Sequence, residues 1–349
     1  MEKQMAANNT LTDKAKQLAS KGKQNFIVLA ALIILVIIFS LLNRNFVDRY
    51  NIVSMVQSLA PYAILALGVT FVIATGGIDL SIGTVCIACA VVSGKLYMDG
   101  MPLGLTIPVM IAMGAMFGLV NGILVAKLKI PAFIATLGTM MFSRGLSAII
   151  VSIPNIFFPS GTWFNAVFSN ANGVPTGLFW VLGFTVICMF LMYKNKIGRY
   201  ILSIGSNEEA TRLSGIDTDK YKIIAYVIAG TMAGIAAIFW AASFSTVAAA
   251  TGNGMELDAI AGVYIGGTSA AGGVASVAGS LLGSMMLVVI RSGLNFVLAK
   301  FNLNVNSTYV TFVLTGIIVV MAVLMDVIKT KHANRVKIKK EEQPKPVKK

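Results

Sequence analysis

Apolar residues along this chain gather into long runs, and short charged segments separate the runs. They occupy 26–42, 52–75, 80–97, 103–126, 132–151, 177–193, 223–242, 276–298 and 308–328. Each approaches the roughly 17–25 residues that an α-helix needs to cross the hydrocarbon core of a bilayer. A tenth apolar stretch, 258–275, is rich in Gly, Ala and Ser. Such residues let helices approach closely, and they also permit a broken or re-entrant segment. The pattern predicts an all-α integral membrane protein of about ten transmembrane helices, with 258–275 as the tenth and the membrane domain over 26–328.

Composition agrees. Hydrophobic residues make up 56% of 349 and charged residues 12%, about half the share in soluble domains. The net charge of +14 raises nucleic acid as a partner, but the basic residues lie between apolar runs and form no stripe interleaved with aromatics. With both termini on one side, the cytosolic segments are 1–25, 127–131, 194–222 and 329–349, and they hold 22 of the 28 Lys and Arg. That asymmetry predicts an N-in, C-in orientation. The run 26–42 follows Lys14, Lys16, Lys21 and Lys23 and precedes Asn43-Arg44-Asn45-Phe46, so it reads as a retained span, not a cleaved leader. The tail 329–349, Lys-rich with Pro344 and Pro346, reads as a disordered cytosolic end that can rest on anionic lipid. Cys86 and Cys89 sit among Val, Ile and Ala without His or carboxylate neighbours, and read as small helix residues.

Buried acids are the chemical outliers. Asp79 and Ser81 fall between apolar runs among Gly76, Gly77 and Gly83. A carboxylate at the centre of a span costs about 2.5–3.5 kcal/mol on insertion scales, so such groups face a partner or a cavity. Asp79 and Ser81 read either as caps of the following helix or as lining of a substrate route. Glu256 and Asp258 precede the Gly-rich stretch and read as a solvated loop that caps a helix, or as lining of the outer mouth. Arg144 and Arg291 are the basic residues inside spans, each expected to pair with a buried acid or with carbonyls. Residues 74–83, ATGGIDLSIG, faintly echo 250–262, ATGNGMELDAIAG, on opposite sides of the membrane, as an inverted repeat of two halves gives. The external loop 152–176 carries no charge but holds Trp163, several Phe and three Pro; it reads as a simple connection or as a partner's contact surface.

Segment 194–222 is the longest cytosolic connection between spans. Its middle has the punctuation of a short helix: Ser206 or Asn207 to cap it, Glu208 and Glu209 at its positive end, Arg212 at the other, and Gly215 as terminator. A short capped helix at the membrane face is either an ordinary loop helix or a handle for a motor subunit. The chain itself has no G-x-x-x-x-G-K-[ST] phosphate loop.

Four motifs in order resemble one family. They are GGIDLSIG at 76–83, GLVNGILVAKLKIPAFIATLGTM at 118–140, IGRYILSIGSNEEATRLSGI at 197–216 and ELDAIAGVYIGGTSAAGGVASVAGSLLG at 256–283. Together they resemble the permease subunits of bacterial ATP-binding-cassette importers for monosaccharides, the ribose, galactose and xylose type, over roughly 26–330. The resemblance implies a location in the bacterial inner membrane, a permease homodimer, a cytosolic ATPase and an extracytoplasmic sugar-binding protein that touches loop 152–176. It implies no cofactor and no catalysis in this chain. It places Asn207, Glu208, Glu209, Ala210, Arg212 and Gly215 in the ATPase-docking helix, where Thr211 departs from a second Ala. An ion-coupled secondary transporter using Asp79 with Glu256 or Asp258 stays open beside it. So does a sister permease for branched amino acids or nucleosides.

Overall fold

The structure, a computed structural model, describes residues 24–150, 155–248, 251–301 and 309–318, with positions 320, 321, 324 and 328. The segment before Gln24 and the tail 329–349 lie outside the described residues. The helices are α1 (Gln24–Leu42), α2 (Arg49–Ala74), α3 (Ile82–Met98), α4 (Leu103–Ala126), α5 (Ala132–Ile150), α6 (Trp163–Phe168) and α7 (Gly177–Tyr193), then α8 (Lys196–Ser206), α9 (Glu208–Leu213), α10 (Thr218–Phe244), α11 (Met255–Ile265), α12 (Val277–Lys300) and α13 (Tyr309–Ile318). Among the described residues six helices are long and apolar enough to cross a membrane: α1, α2, α4, α5, α10 and α12. The pair α7–α8 turns by 64° where α7 ends, a broken span or a re-entrant segment that would bring the number to seven if counted as one span.

Each apolar run holds a helix, but 258–275 differs from a full span. Its helical part, α11, has 11 residues, about 16 Å, half the hydrocarbon thickness. The chain then leaves helical conformation until Val277. The Gly and Ser content explains both features. A Cβ on Gly279 would strike the carbonyl oxygen of Gly266, and one on Gly283 that of Gly262, so α11 and α12 touch backbone to backbone.

α2 is the most enclosed of the six, packed against α7, α10, α11 and α12, and its second half is buried on nearly every face. α10 lies along α4 over much of its length. Small residues recur every fourth position on both: Gly114, Gly118 and Gly122 on α4, and Gly230 and Gly234 on α10. By contrast α1 buries little, and its Phe26, Ile34 and Leu41 face outward as lipid-facing residues do.

The molecule has two ends. At one, loop 127–131 and α9 share a cleft with the end of α2. At the other, β1 (Asn155–Phe157) and β2 (Thr246–Ala248) form a short antiparallel ladder, Ile156 opposite Val247. The described part of loop 152–176, residues 155–176, therefore folds into a cap. Phe158 stacks on Phe164, Phe164 meets Phe168 edge-on, and Phe168 in turn meets Phe239 of α10 edge-on.

Candidate functional site

The basic end carries the first candidate. Asn207 accepts a hydrogen bond from the Ala210 amide (2.9 Å) and caps α9; Ser206 ends α8 instead. Gly215 takes φ +81°, donates to the Arg212 carbonyl (2.9 Å), and Ile216 donates to the Thr211 carbonyl (3.4 Å). This is the Schellman closure, and its left-handed residue suits Gly. Glu208 ties α9 to the start of α10: it accepts from Arg212 Nη2 (2.9 Å) and Lys222 Nζ (2.5 Å). Glu209, Ala210 and Gly215 are exposed. Leu213, absent from the sequence reading, is 83% exposed, a large apolar side chain standing out from a polar helix.

Behind α9 lies a cleft of about 690 Å³, lined by Thr75, Gly77, Lys129, Glu208, Arg212 and Tyr226 among others. α8 connects this end to the core. Gly205 sits against the Ala74 carbonyl and the Gly273 amide, and Gly273 donates to Ala74 (3.0 Å). α9 is thus linked, through α8 and Glu208, to the end of α2, the start of α10 and the break between α11 and α12. Burial works to raise the Glu208 pKa, but the hydrogen bond and charge of Lys222, with Arg212, hold it below the ordinary value. The sign follows: this clasp is complete above the unfolded pKa of about 4.3 and is lost as pH falls through the lowered folded value. Hydrogen exchange at the α9 amides, corrected for its intrinsic pH dependence, should stay constant from pH 7 to about 5 and quicken below about 4.3. Glu208→Gln should flatten that profile; an unchanged profile would remove Glu208 from the clasp.

The sequence-selected acids gather around the beginnings of α3 and α11. Asp79 is buried and accepts from the Ser81 amide (2.8 Å) and hydroxyl (2.6 Å); Ser81 itself makes no side-chain cap. Asn121 of α4 donates to Ser81 Oγ (2.8 Å), and Thr139 of α5 donates to Asn121 Oδ1 (2.6 Å). Asp79 thus anchors a buried network that joins α3, α4 and α5. Asn121→Ala leaves two buried hydroxyls short of a partner. It should lower stability by about 1–3 kcal/mol, read as thermal unfolding in detergent; no shift would mean that water replaces the amide.

Glu256 and Asp258 are buried in the first turn of α11, not solvated in a loop. A Cβ on Gly83 would lie 2.6 Å from Glu256 Oε2, so α3 and α11 begin against each other. They then run toward opposite ends, α3 to the β1 cap and α11 to α12. This is the geometry by which half-spans point their positive ends at the middle of a membrane protein. Glu256 Oε2 has no hydrogen-bond partner among the described residues, and Arg144 of α5 attracts it through space without an ion pair. Asp258 pairs with Arg291 of α12, which also donates to Tyr62 Oη of α2 (2.8 Å) and lies over the Tyr62 ring. That partner was unreadable in the sequence, since 33 residues separate the two charges.

Comparison with known proteins fits this architecture. The family described as "Branched-chain amino acid transport system / permease component" matches residues 51–323. The chain belongs to this permease family. The permease is 36% identical over 305 residues to a ribose import permease of Escherichia coli (strain K12), covering 85% of this chain and 92% of the relative. It is 37% identical over 300 residues to a ribose import permease of Bacillus subtilis (strain 168), covering 84% and 90%. It is 33% identical over 326 residues to a fructose import permease of Bifidobacterium longum (strain NCC 2705), covering 89% and 94%. No solved structure matches it. The permease is a multi-pass membrane protein and a transport subunit, not an enzyme.

Proposed function

We propose that this permease forms the pore of an ATP-driven importer for a simple sugar, ribose-like or another monosaccharide, in the bacterial inner membrane. The observation that carries the ATP-driven part is α9: a helix closed at both ends, clasped to α10 by Glu208, with Leu213 offered to a partner. A separate cytosolic ATPase docks on Asn207, Glu208, Glu209, Ala210, Arg212 and Gly215. An extracytoplasmic sugar-binding protein meets the cap formed by 155–176. Two copies of the chain line the pore, both termini are cytosolic, and lipid covers the apolar faces of α1 and α5. The segments around Asp79, Ser81, Glu256 and Asp258 border the route and hold the half-spans that shift as access alternates.

The family's description mentions branched-chain amino acids, whereas the cited relatives import sugars at 33–37% identity over most of their length. The sugar reading follows the relatives. In cells that make the permease with its ATPase and binding protein, labelled D-ribose or D-fructose should enter saturably and labelled L-leucine should not. Saturable leucine uptake without sugar uptake would replace this reading with the amino-acid one.

A further inference from the structure

α2 carries Asn51, Ser54, Ser58 and Tyr62 at spacings of three and four, which places them on one helix face. α12 carries Arg291 and Ser292 four and three residues before Asn295. The two faces meet: Ser292 donates to Asn51 Oδ1 (3.0 Å) and Arg291 to Tyr62 Oη (2.8 Å). With Phe244 at the end of α10 they enclose a groove of about 260 Å³. That is the room of roughly eight waters at about 30 Å³ each, and just under the range of drug-sized pockets.

The groove opens at the end opposite α9. Ser54, Phe244 and Asn295 are exposed at its mouth, and Tyr62 and Arg291 form its floor. A polar stripe on each of two spans is costly against lipid, and here the two stripes face a shared space. Among the described residues the only charge that lines the groove, Arg291, is neutralised by Asp258 beneath it. Serine and asparagine side chains offer both donors and acceptors. Tyr62 and Phe244 are the aromatic rings that line the groove, and Trp240 packs against both, edge-on to Tyr62 at 6.4 Å and at 4.5 Å from Phe244. Trp240 Nε1 is buried with no hydrogen-bond partner among the described residues, a donor between two groove-lining rings. Aromatic faces, paired donors and acceptors and no net charge are what a sugar ring requires, and they suit neither an anion nor a cation.

We propose that this groove between α2, α10 and α12 is the entry site at which a neutral polyhydroxyl solute, a five- or six-carbon sugar, first leaves water for the membrane domain. The inference rests on the sugar reading above and adds a location to it.

Ser58→Cys, a near-isosteric change, tests it in cells that make the whole importer. The native Cys86, Cys89 and Cys188 are buried, so a membrane-impermeant methanethiosulfonate should leave the unsubstituted permease untouched. In the variant, labelling from outside should cut D-ribose uptake by at least about tenfold. Saturating D-ribose should slow that labelling several-fold, and L-leucine should not. Equal labelling rates with and without sugar, together with unchanged uptake after labelling, would overturn the groove. Protection by added anionic phospholipid but not by sugar would also overturn it, and would assign the groove to a headgroup. The two readings fail differently. If the unsubstituted permease takes up no monosaccharide, the sugar reading falls and the groove falls with it. If only the labelled variant behaves contrary to expectation, the groove alone falls.

Discussion

Replacing Gly230 by Leu is expected to leave almost no folded permease in the membrane. Gly230 faces α4, where any Cβ would strike the carbonyl oxygen of Gly114 and crowd the backbone of Gly118 at 2.7 Å. Between helices in lipid there is little hydrophobic driving force, and close van der Waals contact carries the association. A side chain here meets backbone, which cannot swing aside as a neighbouring side chain can. Over-packing costs about 1–3 kcal/mol where neighbours adjust, and this site should reach or pass the upper figure. The α4–α10 contact is the most extensive helix pair among the described residues, so its loss removes the main packing partner of α10 and leaves it held by α2 and α3. Gly138→Leu on α5 is the control, because nothing lies within 4 Å of a Cβ there. Size-exclusion profiles in mild detergent should show a monodisperse Gly138→Leu and an aggregated or degraded Gly230→Leu. Equal profiles would refute the packing argument.

Leu213→Asp should have the opposite character: an intact permease that no longer couples to ATP. The side chain is 83% exposed and touches no core, so folding should be unaffected. An apolar side chain at the tip of a docking helix has the marks of an interface anchor, whose loss typically costs about 2 kcal/mol or more, roughly 30-fold in affinity. A buried aspartate adds its own desolvation cost. Co-purification of the ATPase should fall accordingly and sugar uptake should vanish, with the thermal unfolding of the permease unchanged. Normal association would move the anchor elsewhere on α9.

The spans and α9 were legible because strong, local physics writes them. A bilayer demands long apolar helices, and the capping rules left Asn207 and Gly215 in plain view. Other features depend on distant partners. Asp258 could be marked as a buried acid, but not matched to Arg291, since the match needs α11 and α12 side by side. Glu256 and Asp258 precede a glycine-rich stretch and read as a solvated loop or as lining of the outer mouth; the half-length α11 buries them. β1 and β2 are three residues each, too short for any alternation to show. The small residues at 114, 118 and 122 did repeat every fourth position, yet in a chain with 33 glycines the period did not stand out. The polar stripe on α2 was readable by the same helical spacing, once Asn51, Ser54, Ser58 and Tyr62 are taken as one face.

ATP hydrolysis in a partner, delivered through α9, is expected to drive sugar through this chain. Uptake by proteoliposomes measures it directly. Vesicles containing the permease, its ATPase and its binding protein should accumulate labelled monosaccharide only when ATP reaches the ATPase, and an imposed proton or sodium gradient should add nothing. Accumulation by the permease alone under an ion gradient, without ATPase or ATP, would contradict the account and make Asp79, Glu256 and Asp258 the ion ligands of a secondary transporter.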